Sequence, residues 1–243
     1  MNFRVMTFNI QHGRNHNLEG DVIDVPFMAK TALALDPAII NFNEVRKGIN
    51  GEESTNCFFP DEPAVLEKEI GGKAYFAKAI SVKENCLYGN CLLTKFPLIS
   101  AETVMIPDPA PVENVWHETR CMIKSCVSVG DKKITVLTSH FGLSHEEQVN
   151  CVDTVLKAVA ETEDPIIFMG DLNMTDDDPL IGRLASVMTD SAAYVNNKEL
   201  TFPSNDPKIR IDYIFTKGIK INNVFANKVV ASDHFGLVAD LEV

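Results

Sequence analysis

The chain is poor in positive charge. Its 243 residues hold 22 lysines and arginines against 34 aspartates and glutamates, a formal net charge of −12. A surface of that sign repels phosphate polymers, whose binding is driven by neutralising cations, so weak or no binding to long nucleic acid is expected. No basic stretch interleaved with aromatics supplies a nucleic-acid groove. No window approaches the roughly 18 uninterrupted apolar residues of a membrane span. The six cysteines (Cys57, Cys86, Cys91, Cys121, Cys126 and Cys151) form no C-x-x-C pair and no zinc-like cluster with histidine, and they are expected as reduced thiols. A strand pattern begins at Met1, which leaves no room for a charged and then apolar leader, so a cytoplasmic enzyme is expected. Low-complexity and repeat signals are also missing. A single domain over residues 1–243 is within the usual size range.

What is present is an apolar, strand-rich pattern. Residues 3–10 are apolar on both faces (Phe3, Val5, Met6, Phe8, Ile10), as in a strand covered from two sides, and they end on Asn9 and a polar run to Gly13. "DVIDVPFMAKTALALDP" predicts a helix closed by Asp36-Pro37, and "AIINFNE" a short buried strand with Glu44 at its far end. The order then recurs. "SHEEQVNCVDTVLKAVAETEDP" carries Ser144 and Glu147 in capping-box spacing and Val149, Val152, Leu156 and Val159 on one face, and "IIFMG" follows as a buried strand delivering Asp171. Helix, Asp-Pro, apolar strand and terminal carboxylate therefore occur twice, which brings both carboxylates to one edge of a layered core.

Alternating runs between these segments and after them predict antiparallel strands, including "TRCMIKSCVSV", "KKITVLTSHF", "RIDYIFTKG" and "FGLVADLEV". About ten strands with two or three helices fit two sheets packed face to face with helices outside, an α+β sandwich. The stretch from Glu44 to Pro63 is the longest expected irregular segment.

The acidic run after "IIFMG" raises the question of chemistry. An EF-hand loop requires glycine at its sixth position and glutamate at its twelfth, where this chain has Asp176 and Gly182, so that reading fails. Asp176, Asp177 and Asp178 precede "PLIGRLASVM" and are expected to complement that helix N-terminus. Asp171 and Asn173 sit directly after the strand, and Gly170 permits a close backbone approach there. Taken alone the pair reads as a turn. Its company elsewhere gives it weight.

"TFNIQHG" (7–13), "NFNEV" (41–45), "YGNCLLTKFPL" (88–98), "TSHFG" (138–142), "GDLN" (170–173), "RIDYIF" (210–215) and "SDH" (232–234) together resemble the DNase I-like endonuclease/exonuclease/phosphatase superfamily, above all its bacterial metal-dependent hydrolase branch. The resemblance implies a two-sheet sandwich with an approximate internal two-fold, and hydrolysis of phosphate esters with Mg²⁺ or Mn²⁺. By the same resemblance Glu44 is the metal-ligand glutamate, with Asn9 beside it and Asp233 on the metal side. Asp171 positions or activates water, Asn173 neighbours the phosphate, and His234, supported by Asp212, binds a phosphoryl oxygen. His140 is the second active-site histidine, while Asn90 and Arg120 are substrate contacts.

These roles agree with elementary chemistry. Phosphate esters resist attack because their oxygens are negative, so a site needs a cation on the phosphate, a carboxylate to orient water and donors for developing charge. Mg²⁺ suits one or two carboxylates with several retained waters. A histidine backed by Asp212 is held in one tautomer with its cationic form favoured.

One departure bears on substrate. The abasic-site nuclease branch has an acid two places after the first asparagine, where this chain has Gln11. Together with the acidic balance, that lowers a DNA-repair reading. The leading expectation is a metal-dependent phosphodiesterase or phosphatase acting on a small or flexible phosphorylated substrate. A DNA or RNA nuclease and a catalytically idle metal- or phosphate-binding module are the alternatives.

Overall fold

The computed structural model describes residues 1–48, 61–111 and 117–243. Its strands are β1 (Asn2–Asn9), β2 (Ile39–Gly48), β3 (Lys73–Lys83), β4 (Cys86–Thr94), β5 (Leu98–Met105), β6 (Cys121–Val129), β7 (Lys132–His140), β8 (Ile166–Asp171), β9 (Thr189–Asp190), β10 (Asp212–Lys217), β11 (Lys220–Asn227) and β12 (Gly236–Glu242). The helices are α1 (Val25–Leu33), α2 (Glu62–Ile70), α3 (His145–Ala160), α4 (Pro179–Ala185) and α5 (Ser191–Tyr194). The strands form two six-stranded sheets, ordered β11-β12-β1-β2-β4-β3 and β5-β6-β7-β8-β10-β9.

Three apolar layers hold this together. Val5, Ile39, Leu92, Ile123, Val136, Ile167 and Ile214 meet between the sheets. Met28, Ala32 and Leu66 from α1 and α2 cover the outside of the first sheet through Ile40, Phe42 and Leu93. Cys151, Val152, Val155 and Leu184 from α3 and α4 cover the second through Leu137, Phe168 and Phe215. The result is a helix–sheet–sheet–helix sandwich, as the resemblance implies, and it explains why β1, β2 and β8 read as continuous apolar runs: each is covered on both faces.

The doubled segment becomes two parallel crossovers. β1 and β2 pair in parallel with α1 between them, and β7 and β8 pair in parallel with α3 between them. A parallel pair requires such a crossover, and it leaves the C-terminal ends of both strands on one edge. The capping box forms as expected, with the Glu147 amide donating to Ser144 Oγ at 3.2 Å and the Ser144 amide donating to a Glu147 carboxylate oxygen at 2.9 Å. Gly170 also fits its expected role, because a Cβ there would lie 1.9 Å from the Ser139 carbonyl oxygen on β7.

Several expectations require correction. β2 does not stop at Glu44; it runs to Gly48, and α2 begins at Glu62, so the expected long loop is shorter at both ends, while residues 49–60 lie outside the described residues. α2 escaped notice because its proline stands at the first turn, where it is tolerated after the Asp61 cap. Of the three acids before α4, only Asp178 caps it, through the Leu180 amide. Asp176 instead binds Arg210, and Asp177 accepts from the Thr175 hydroxyl. Cys91, Cys121, Cys126 and Cys151 are free thiols, but Cys86 is disulfide-bonded; scattered spacing carries no information about pairing. Cys57 lies outside the described residues.

Arg210 is almost fully buried behind β10. It donates to Asp176 Oδ1 at 2.8 Å and to both Asp190 oxygens at 3.1 and 2.7 Å, and its guanidinium stacks 4.1 Å from the Tyr213 ring centroid. Asp176 would keep Lys198 and Tyr213, but truncation would leave the buried Asp190 carboxylate with backbone amides alone and no counter-charge. Arg210→Ala is expected to lose about 3–5 kcal/mol of stability, read as a lower midpoint in urea unfolding with an unchanged slope.

Candidate active site

The C-terminal ends of β1, β2, β7 and β8 and the residues beside them converge on one cleft of about 420 Å³, lined by Glu44, Tyr88, Glu118, Arg120, His140, Leu143, Asp171, Asn173, Phe202, Ile209, Ile211, Asp233 and His234. Register sets the order within it. Asp171 closes β8 with His140 directly beside it on β7 and Asp212 directly beside it on β10. Glu44 sits in a bulge of β2, where pairing with β4 slips between Phe42 and Val45, and it takes a left-handed φ of 60°. A bulge re-aims a side chain that regular alternation would point elsewhere, and strain of this kind is retained where surrounding structure enforces it.

One oxygen organises the centre. Asp171 Oδ2 accepts a hydrogen bond from Asn9 Nδ2 at 3.1 Å and stands 3.6 Å from both His140 Nε2 and His234 Nε2. The same Asn9 amide donates to Glu44 Oε1 at 2.9 Å, so a side chain of the first crossover joins both carboxylates. Asp171 Oδ1 is occupied by the Asn173 backbone amide at 3.0 Å. At 3.6 Å neither imidazole is hydrogen-bonded to Asp171, and His234 Nε2 remains able to donate to a third group.

The two histidines differ in charge for identifiable reasons. His234 Nδ1 lies 2.9 Å from Asp212 Oδ2. Burial works against its charge, but Asp212 and then Asp171 outweigh it and push the imidazole up to about 10, so it is a cation that donates from both nitrogens. His140 Nδ1 lies 3.1 Å from Arg120 Nη1. Arginine can only donate, so Nδ1 accepts, while Nε2, which faces Asp171, lies 3.2 Å from the side-chain amide nitrogen of Asn173. Burial, followed by the charges of Arg120 and His234, holds His140 well below the usual histidine range, and it is neutral. Burial pushes the Asp171 carboxyl up to about 7 against the lowering pull of His234.

Glu44 and Asp233 form a separate acidic corner. Burial raises the Glu44 carboxyl, the Asn9 amide partly offsets this, and the charge of Asp233 raises it further. Among the described residues no basic nitrogen makes an ion pair with either carboxylate. Two carboxylates that make no close ion pair are a hard-oxygen donor set that fits a divalent cation. Asp171, Asp212 and His234 also group with one potential ligand atom each within 4.8 Å of the others. That trio fits a metal poorly, since His234 Nδ1 is engaged by Asp212 and an imidazolium has no free lone pair.

Of the residues singled out in the sequence, Glu44, Asp171, Asn173, His140, His234, Asp233 and Arg120 line the cleft, while Asn9 and Asp212 stand directly behind it. Asn90 does not fit a substrate contact. It is 2% exposed, its Oδ1 accepts from Asn43 at 2.8 Å and its Nδ2 donates to the Cys121 carbonyl at 3.0 Å. Tyr88, Glu118 and the apolar wall of Leu143, Phe202, Ile209 and Ile211 were not anticipated.

Asn43 was also missed. Its Oδ1 accepts from the Asp171 amide at 3.1 Å and from Asn41 Nδ2 at 2.9 Å, and its Nδ2 donates to Asn90 Oδ1 and, at 3.1 Å, to the Ser139 carbonyl. Asn43, buried on an apolar strand, was the available signal, because a buried amide is rarely left without hydrogen bonds.

This geometry can be set beside known proteins. The sequence model of the endonuclease/exonuclease/phosphatase family matches residues 6–234. The chain belongs to that family. No curated protein sequence matches it significantly. Among solved structures, an endonuclease/exonuclease/phosphatase from Beutenbergia cavernae DSM 12333 is 21% identical with a TM-score of 0.80, covering 100% of this chain and 72% of its own. A mannosyl-6-phosphatase from Bacteroides thetaiotaomicron VPI-5482 is 16% identical with a TM-score of 0.78, covering 99% and 100%. A humanized D. rerio TDP2 carrying 14 mutations is 15% identical with a TM-score of 0.68, covering 100% and 99%. At these identities the likeness establishes the shared two-sheet sandwich. Membership of the endonuclease/exonuclease/phosphatase family places the chain among hydrolytic enzymes acting on phosphate esters.

Asn43→Leu is expected to cost about 2–4 kcal/mol, since it strands several buried polar groups worth about 1–3 kcal/mol each. Urea unfolding of the variant beside the parent protein measures this.

Proposed function

We propose that the protein is a divalent-metal-dependent phosphoesterase acting on a small phosphorylated substrate. The observation that carries this reading is the convergence on Asp171 Oδ2 of one amide and two differently charged imidazoles. A carboxylate able to take a proton thus stands beside a cationic donor and a neutral imidazole. Glu44 and Asp233, with Asn9 behind, would hold Mg²⁺ or Mn²⁺, which would supply a Lewis acid for the negative charge of the phosphate.

This chain's own residues do the rest. Asp171 orients a water through Oδ2 and accepts its proton as the oxygen bonds to phosphorus. His234, cationic, donates to a non-bridging phosphoryl oxygen, whose charge grows during attack, and the neutral His140 ring lies beside it. Asp212 and Arg120 fix the two ring orientations. Asn173 steadies this arrangement by donating from Nδ2 to the Phe141 carbonyl at 3.0 Å and by seating its backbone amide on Asp171. A small ester needs only this mouth, whereas a long duplex would also have to lie against a chain of net charge −12.

The test is turnover of soluble phosphate mono- and diesters by chelator-treated protein before and after Mg²⁺ or Mn²⁺ is restored. Loss and recovery of turnover are expected, and full activity in metal-free protein contradicts the proposal. Asp171→Asn should keep the fold and lower kcat by about a hundredfold or more, the scale of a general base. Near-native turnover in that folded variant moves the base elsewhere.

The pH dependence follows from the two raised groups. Asp171 must be ionised, so kcat/KM should climb as pH rises through about 7. His234 must stay protonated, so activity should fall as pH passes about 10. A bell with those limbs is the expected profile, and the acid limb should disappear from the residual rate of Asp171→Asn.

A further inference from the structure

The phosphate seat occupies only one end of the cleft. Leu143, 76% exposed, lies at its rim with Phe202, Ile209 and Ile211 along one side. Ile209 is 36% exposed, and its carbonyl accepts the Phe202 amide at 3.0 Å, so a backbone pairing holds these two residues in place. Exposed leucine and isoleucine grouped beside polar chemistry mark a surface that meets apolar matter.

Charge in the same lining points the same way. Its carboxylates are Glu44, Glu118, Asp171 and Asp233, and its cations are Arg120 and His234. Arg120 Nη1 stands 2.6 Å from Glu118 Oε1 and 3.1 Å from His140, while His234 is held by Asp212. The remaining polar groups of the lining are the Tyr88 hydroxyl and the carboxylates, and the Asn173 Nδ2 is already bonded to the Phe141 carbonyl.

We propose that the substrate carries a single phosphate and that its alcohol portion is uncharged and apolar, seated against Leu143, Phe202, Ile209 and Ile211. This rests on the phosphoesterase reading above and narrows its substrate class. Hydrolysis forms the bond from water oxygen to phosphorus and breaks the phosphorus–alkyl oxygen bond, with the alcohol leaving protonated by solvent. An apolar alcohol then gains by burial, whereas a sugar or a second phosphate must give up water against these four apolar side chains.

The experiment compares ethyl, butyl and hexyl phosphate with glycerol phosphate under saturating Mg²⁺. The three alkyl alcohols share nearly the same acidity, so chain length changes contact and leaves the chemistry alone. kcat/KM is expected to rise up to about fourfold per methylene, the fold-change matching about 0.8 kcal/mol for each buried methylene, and glycerol phosphate should fall below ethyl phosphate. Leu143→Ser and Ile209→Ser should flatten the chain-length slope. Turnover of every ester with equal efficiency, or a preference for glycerol phosphate, overturns this inference while leaving the phosphoesterase reading intact. A slope that persists unchanged in both variants overturns the assigned wall. No turnover of any ester overturns the phosphoesterase reading and this inference with it.

Discussion

The buried amide of Asn43 is the constraint on which the candidate site depends. It lies on β2 in the first sheet, yet it bonds the backbone of Asp171 on β8 and Ser139 on β7 in the second. Apolar packing between sheets is tolerant of small slides, because dispersion and burial have little direction. Hydrogen bonds do have direction, and an unsatisfied buried amide is costly enough to forbid slippage. The chain from Thr7 through Asn41, Asn43 and Asn90 to the Cys121 carbonyl therefore fixes the register of one sheet on the other. Above it, Asn9 spans Glu44 and Asp171.

With that register set, a near-symmetric frame yields an asymmetric site. The two crossovers bring Glu44, in the bulge of β2, and Asp171, at the end of β8, to one edge, but Glu44 feels the charge of Asp233 and Asp171 faces two imidazoles. The histidines diverge through their neighbours: a carboxylate behind His234 keeps it charged, and a guanidinium behind His140 keeps it neutral. One sandwich thus provides a carboxylate corner suited to a cation and a donor corner suited to an anion. Glu44 and Asn173 both take a positive φ at this edge, as expected where side-chain aim outweighs backbone comfort.

The surroundings narrow what such a site can serve. The endonuclease/exonuclease/phosphatase family spans polymers and small esters, and the fold alone does not choose among them. Here the acidic surface opposes polymers, and the cleft wall is apolar where a polar leaving group would need donors.

The sequence by itself determined the sandwich and its doubled core, because strands covered on two faces and a capped amphipathic helix leave period and boundary signals that need no partner. It also determined which carboxylates and histidines gather, since seven short motifs in fixed order resemble one superfamily. Only tertiary structure decided that Glu44 sits in a bulge inside a longer strand, that Asp176 serves Arg210 and not a helix end, and that Asn90 is a buried link and not a substrate contact. It alone decided the charge of each histidine and the apolar wall of the cleft. The physical reason is common to all of these: each depends on which groups from distant segments come within a few ångströms, and local periodicity holds no record of that.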